Sequence, residues 1–374
     1  MTGFALHPRA RVLTPDAPGV QALVACLREG RAIAAGPDPD APVAAGAGPG
    51  GWLVARTSGS GGAPKAIRRR AESWTASVAL HRDVLGAGPG DVYGVPGHLS
   101  HSLALYAAVE ALSVGAGLAL VGGRGARAQV ALLREAGATI LWATPAQLHL
   151  LAGTGQALPS VRLVLTGGGR LDAAGRARVA DLCPNAQVRV FYGAAETSFV
   201  AWGDGTEPAG SVGRAYPGVR LRVGKDGRIW AASPYLFDGY VEGGTDATER
   251  DGGFLTVGDL GWVDADGHLF VDGRADRVVN VADRALSLDA VEAALEGAGL
   301  RAVALAVPDA ARGARLVCVV EGGEDAGTAA RARVACRVLG GHAVPVLRFV
   351  AALPMLPAGK PDRARLLREV ASWR

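Results

Sequence analysis

The chain has 374 residues, nearly half of them apolar, with 39 basic against 35 acidic side chains. That length predicts two folded units, each able to bury a sizeable core. The net charge of +4 is small and gathered in no tail, which argues against a nucleic-acid partner, and no apolar run approaches the roughly 18–20 residues of a membrane span.

Met1 to Arg9 lack a charged start followed by an apolar stretch, so no secretory leader is expected and the chain reads as cytoplasmic. Cys26, Cys183, Cys318 and Cys336 show no CxxC spacing and are expected as buried thiols rather than a disulfide or metal set. Residues 36–51, rich in Pro, Ala, Gly and Asp, predict a loose connection before a strand at Trp52-Leu53-Val54-Ala55. Arg68-Arg69-Arg70 reads as a solvated helix start or a phosphate-side patch. Short apolar runs at 92–95, 117–121, 139–143, 161–165 and 187–191 predict strands. Helical spacing occupies 102–114, 126–136, 145–152 and 172–182 between them. That alternation predicts a mostly parallel sheet with covering helices. Two hairpins follow, 219–223 with 228–232 around a Lys225-Asp226-Gly227 turn, and 261–263 with 268–271. The last hundred residues predict helices at 288–297, 328–339 and 362–371, with strands at 301–307, 315–320 and 346–350. The fold class expected is α/β, a large N-terminal unit (1–273) and a small α+β C-terminal unit (274–374).

The most informative segment is Thr57-Ser58-Gly59-Ser60-Gly61-Gly62-Ala63-Pro64-Lys65. After an apolar strand it gathers hydroxyls, open backbone N–H groups and one ammonium into a loop suited to phosphate oxygens. It is not a Walker A loop, because Pro64 stands where Gly should precede the Lys and Ala66 cannot ligate Mg²⁺. A flexible Gly/Ser linker is the other reading of this segment taken alone. Only Lys65, Lys225 and Lys360 are lysines in a chain that otherwise uses Arg, and two of the three sit in such motifs.

Residues 57–65 resemble the signature loop of the acyl-adenylate-forming superfamily, with Gly61 as the departure. Further elements follow in that family's order: Gly167-Gly168-Gly169; Tyr192-Gly193-Ala194-Ala195-Glu196; Gly258-Asp259-Leu260; Gly273-Arg274-Ala275-Asp276; and Leu353 to Arg363 around Lys360. The resemblance implies a two-step ligase that uses ATP and Mg²⁺ to activate a small carboxylic acid. Thr57, Ser58, Gly59, Ser60, Gly61, Gly62 and Lys65 would hold the β- and γ-phosphates, and Glu196 would hold Mg²⁺. Tyr192 would stack on adenine near Gly168 and Gly169, Asp259 would take the ribose hydroxyls, and Arg274 would assist at ribose or phosphate. Lys360 would be the catalytic lysine of adenylation, and Asp276 the hinge about which a mobile C-terminal unit turns before a thiol attacks.

The implied acceptor is CoA or a carrier protein's phosphopantetheine, with an AMP-forming acyl-CoA ligase as the first reading. A stand-alone carrier-protein loading enzyme is an alternative. So is an o-succinylbenzoate–CoA ligase, whose shortened N-terminus this chain shares, and so is a degenerate nucleotide-binding module. Departures cluster on the thiol side, where Asn280 and Asp283 replace the usual Lys and Gly and Ala290 replaces a Glu. Gly61 and Ala195 each remove a hydroxyl from the phosphate path, a loss of about one to two decades in rate if uncompensated, with Thr197 or a water as the expected substitute. His98 or His101 is expected at the acyl pocket or, equally, as part of a helix cap.

Overall fold

A computed structural model gives the fold and describes residues 3–38, 40–46, 50–57, 65–244, 247–282, 284–309, 313–356 and 361–372. Its centre is a ten-stranded sheet. Six strands run parallel: Arg11–Val12, Gly117–Leu120, Val92–Val95, Ile140–Ala143, Leu163–Gly167 and Gln187–Ala194. Four antiparallel strands extend it: Ser198–Gly203, Ser211–Ala215, His268–Arg274 and Asp259–Val263. Val92–Val95, Gly117–Leu120 and Ile140–Ala143 are buried at every residue, as expected of parallel strands covered on both faces.

The covering helices are α1 (Val20–Glu29), α2 (Glu72–Leu85), α3 (Ser102–Val114), α4 (Ala126–Glu135), α5 (Pro145–Ala152) and α6 (Ala173–Leu182). Helix α3 is buried on all sides from Ala104 to Leu112, so it is a core helix rather than an amphipathic cover. It carries Glu110, which meets His81 of α2 at 2.9 Å, and Tyr216 bonds the other ring nitrogen at 2.9 Å. Aromatic rings close around this pair: Trp74, Tyr106, Trp142, Phe191, Phe199 and Tyr216 lie in one connected cluster.

A second sheet orders Gly239–Glu242, Lys65–Arg70, Trp52–Thr57, Ile33–Ala35 and Val43–Ala45. Two expectations are corrected here. Within the Pro/Gly-rich stretch, Val43–Ala45 pairs with Ile33–Ala35, because Val43 is drawn into the core. Arg68 to Arg70 end a strand rather than start a helix, and Arg69 is wholly buried. The first predicted hairpin forms with Val223 opposite Ile229, and the second becomes the edge pair of the main sheet.

The C-terminal part holds α7 (Leu288–Gly297), α8 (Ala326–Arg337) and α9 (Arg363–Ser372) against a sheet of Ala302–Asp309, Gly313–Glu321 and Val346–Val350. A hairpin, Val278–Val281 with Arg284–Ser287, precedes it. Its cores draw only on residues from Val279 to Val370. All four cysteines are buried and free. No helix among the described residues is long and apolar enough to cross a membrane.

Candidate active site

The parallel strands end along one edge of the main sheet, and the chain segments that leave them gather there. This is where open α/β sheets present ligand sites. Gly168, the residue after Leu163–Gly167, adopts φ +79°, a left-handed conformation that favours glycine. Gly169 lies against Pro145 at the start of α5, where Thr144 and Gln147 form a reciprocal capping box. His98 and His101 lie on the neighbouring exit loop, 6.5 Å apart between ring centroids. His101 is the N-cap residue of α3 but caps nothing with its side chain.

The next strand carries Tyr192 and runs into the turn that bears Glu196. Gly193 is needed in this hairpin, because a Cβ there would drive into the Ser198 carbonyl. Thr197 does not stand in for the hydroxyl missing at Ala195. It is buried, and its Oγ1 accepts from the Ala194 N–H at 2.9 Å, tightening the turn from within.

Glu196 is buried to 7% exposure, and its Oε1 accepts from the Tyr240 hydroxyl at 2.8 Å. That hydroxyl also lies 2.8 Å from Thr248 Oγ1. Burial first, then the Glu196 charge, pushes the Tyr240 phenol well above its ordinary range. Lys65 Nζ sits 5.6 Å from the centre of the same ring, and Thr57 stands opposite Lys65 across its strand pair. Lys65, which begins the strand after residues 58–64, thus lies beside the Tyr240 ring whose hydroxyl joins Glu196 and Thr248. Ser58, Gly59, Ser60, Gly61 and Gly62 lie outside the described residues. The Glu196 carboxylate with neighbouring hydroxyl oxygens is a hard-oxygen donor set that fits Mg²⁺.

A second group lies nearby. Tyr192 donates to Asp259 Oδ2 at 2.5 Å, and Asp259 stands opposite Arg274 in the edge hairpin. Arg274 Nε is 3.9 Å from Asp259 Oδ1 and 3.2 Å from Asp276 Oδ1, while its Nη2 donates to the Val257 carbonyl. Burial raises the Asp259 carboxyl above its ordinary value, although the Tyr192 bond and Arg274 pull the other way. Burial and the Asp259 charge also push the Tyr192 phenol well up. Tyr192, Asp259, Arg274 and Asp276 therefore form one connected set, in which Tyr192 comes from a strand 67 residues before the hairpin that carries Asp259 and Arg274.

Asp276 lies in a 3-10 turn, Ala275–Arg277, fastened to α7. Asp289 accepts from the Arg274 backbone N–H at 2.9 Å and from Arg277 Nε at 2.5 Å. Glu292 accepts from Arg277 at 2.7 Å and, with its other oxygen, from Arg363 at 2.6 Å. Arg363 follows Lys360 by three residues. Lys360 itself lies outside the described residues, as does Asp283.

Sequence reasoning did not single out Tyr240, Thr248 or Arg69. The first two had no visible signal, since their link to Glu196 depends on the pairing of Gly239–Glu242 with Lys65–Arg70. Arg69 had one, an arginine in alternation with buried Ile67 and therefore on the inward face.

The chain belongs to the AMP-binding enzyme family, whose match covers residues 53–241. Among curated relatives it is 28% identical to an uncharacterised acyl-CoA ligase, YhfT, of Bacillus subtilis, over 83% of this chain and 67% of that protein. It is 27% identical to an L-proline–[L-prolyl-carrier protein] ligase of Streptomyces coelicolor, over 83% of this chain and 64% of that protein. The chain spans about two thirds of the length of these two relatives. The solved structure of the amide bond synthetase McbA from Marinactinospora thermotolerans superimposes with a TM-score of 0.71 at 26% identity, covering 86% of this chain and 69% of that one.

Proposed function

We propose that the chain activates a small carboxylic acid with ATP and passes the acyl group to a thiol, with CoA as acceptor. In the first step a carboxylate oxygen attacks the α-phosphorus. The bond from that phosphorus to the bridging oxygen breaks, and pyrophosphate leaves with the electron pair. In the second, a thiolate attacks the acyl carbon and AMP departs. The protein's part is positioning and charge stabilisation.

The observation that carries this reading is the convergence of Lys65, Tyr240 and Glu196 beside the Tyr192–Asp259–Arg274 set. Lys65, with Thr57 and residues 58–62, would take the β- and γ-phosphates. Mg²⁺ on Glu196, when bound, offsets phosphate charge. Gly168, Gly169 and Tyr192 would hold adenine, and Asp259 would exchange its Tyr192 and Arg274 partners for the ribose hydroxyls. Lys360 would offset the charge between carboxylate and α-phosphate. Residues 274–374 would form a unit that turns about Asp276, and the bonds from Asp289 to Arg274 and Arg277 support a pivot at that point.

A carrier-protein acceptor is the second reading. The exchange of Lys for Asn280 on the thiol-side hairpin favours it, as does the likeness to a carrier-protein ligase. The deciding assay is acid-dependent ATP–pyrophosphate exchange over a panel of carboxylates, followed by product analysis with CoA and with a phosphopantetheinylated carrier. AMP is expected as the nucleotide product with Mg²⁺ required, and ADP with phosphate would overturn the assignment.

A further inference from the structure

Lys65, Ile67 and Arg69 share the inward face of one strand, so the residue that faces Tyr240 and the buried arginine lie two residue pairs apart on a common ridge. Arg69 has no exposed surface, although Arg68 and Arg70 on either side are exposed. Burying a guanidinium is costly unless its donors are used. Here Nη1 donates to Ser198 Oγ at 2.6 Å and reaches Ser73 Oγ and the Tyr235 carbonyl at 3.3 Å each. Nη2 donates to the Ala195 carbonyl, and the guanidinium lies 5.3 Å from the Trp74 ring centre. Nε has no partner among the described residues. All four acceptors are neutral, and the carboxylate whose charge Arg69 feels most is Glu196.

Two of those acceptors, Ala195 and Ser198, bracket Glu196. Ser198 sits at φ +54°, a left-handed conformation costly for most residues other than glycine, and its hydroxyl accepts from Arg69. The turn is gripped from the other side as well, where the Phe237 N–H donates to the Glu196 carbonyl at 2.8 Å. With Thr197 spent on the turn's own backbone, Arg69 is the charged side chain that fixes both flanks of Glu196.

We propose that Arg69 is a positioning residue for Glu196: it locks the turn Ala194–Ser198 so that the Glu196 carboxylate faces Tyr240 and the phosphate side. This rests on the reading of Glu196 as the metal-side carboxylate. A residue that acts through another loses its effect once that other is gone.

The test is a double-mutant cycle on ATP–pyrophosphate exchange with Arg69→Met, Glu196→Gln and the pair. Melting curves and active-site titration would correct for folded fraction. Arg69→Met is expected to lower kcat on the order of 10²-fold with a smaller change in the KM for ATP, as when a transition-state contact is displaced. The double variant should be no slower than Glu196→Gln alone. Mn²⁺ titration followed by electron paramagnetic resonance, with a non-hydrolysable ATP analogue present, gives a readout apart from turnover, and binding should weaken in Arg69→Met. If that variant does not fold, Arg69→Lys and Ser198→Gly take its place. Ser198→Gly keeps the backbone conformation but removes the 2.6 Å bond, and should lower kcat several-fold. Additive losses in the cycle, or a kcat per folded enzyme within about twofold of the parent with unaltered Mn²⁺ binding, overturn the proposal. Failure of the underlying reading looks different: Glu196→Gln itself leaves exchange and Mn²⁺ binding intact.

Discussion

The two ends of the molecule are held together by different means. In the N-terminal part, rings stack around a buried polar group: Phe199 lies 4.9 Å from Tyr216, 5.1 Å from Phe191 and 5.2 Å from Tyr106. Beyond Arg274 the sequence contains only Phe349 and Trp373 as aromatic residues, and the cores there are built from Val, Ala, Leu and Cys. What ties the turn Ala275–Arg277 to α7 and α9 is ionic, through Asp289 and Glu292. Aromatic burial is not weakened by ionic screening, whereas partly exposed charge pairs are screened and re-formed at small cost. The difference suits the proposed roles of a fixed platform for the nucleotide and a small unit that would carry Lys360 to and from it.

The comparison breaks most sharply at Lys360. Lys360→Ala should slow adenylation by roughly 10²–10³-fold while sparing thioester formation from a supplied acyl-adenylate. Stopped-flow measurement of the two half-reactions decides the point, and equal losses in both would mean that the C-terminal unit does not change places between steps.

Asp259→Asn tests the platform side. An amide accepts less strongly from ribose hydroxyls, so the KM for ATP should rise about 10- to 100-fold, corresponding to roughly 1.5–3 kcal/mol for bonds to a charged group. Stability should move the other way. Burial holds the folded-state carboxyl above its unfolded value, so the folded form binds the proton more readily. The stability this group contributes is complete below the unfolded value and is lost as pH rises through the folded one. Removing the charge should therefore raise the melting temperature at neutral pH, and the gain should vanish as pH falls into the ordinary carboxyl range. Melting curves of both proteins across pH would show this, and a gain that grew on acidification would contradict the assigned direction.

A smaller effect is expected from Glu292→Gln, which weakens the clasp between Arg277 and Arg363. Adenylation should slow only a few-fold, because such partly exposed pairs are worth about 1 kcal/mol or less. The deficit relative to the parent should shrink at high salt, where the parent's own clasp is screened. Exchange rates at low and at 1 M salt would measure it, and a salt-independent deficit would assign Glu292 to packing rather than charge.

Much of this was legible before any coordinates. Five of the six parallel strands were expected as short, mostly apolar runs, Arg11–Val12 being missed, and 92–95, 140–143 and their helices lie within a residue or two of their expected bounds. The loop at 57–65, Glu196, Asp259 and Arg274 were visible because each belongs to a local string of residues whose chemistry is explicit. The strand within 36–51 was not legible, because Val43–Ala45 forms only where Ile33–Ala35 offers a partner and the core a place for Val43. The run at 68–70 was misread for a related reason. The alternation with Ile67 marks Arg69 as the inward arginine only once the run is read as a strand.

By itself, then, the sequence pointed to the family and to the alternation of strands and helices over residues 92–191, and it supplied the groups proposed to meet ATP, since these depend on local pattern and side-chain chemistry. Only the tertiary structure decided that Tyr240 reaches Glu196, that Tyr192 bonds Asp259, that Thr197 turns inward and that Arg69 spans from one sheet to the turn of another. Each of those contacts joins strands brought together by pairing and burial, except Thr197, whose direction is set by the turn it closes. Pairing partners across 44 to 129 residues of chain leave no local trace, because it is the shared core that selects them.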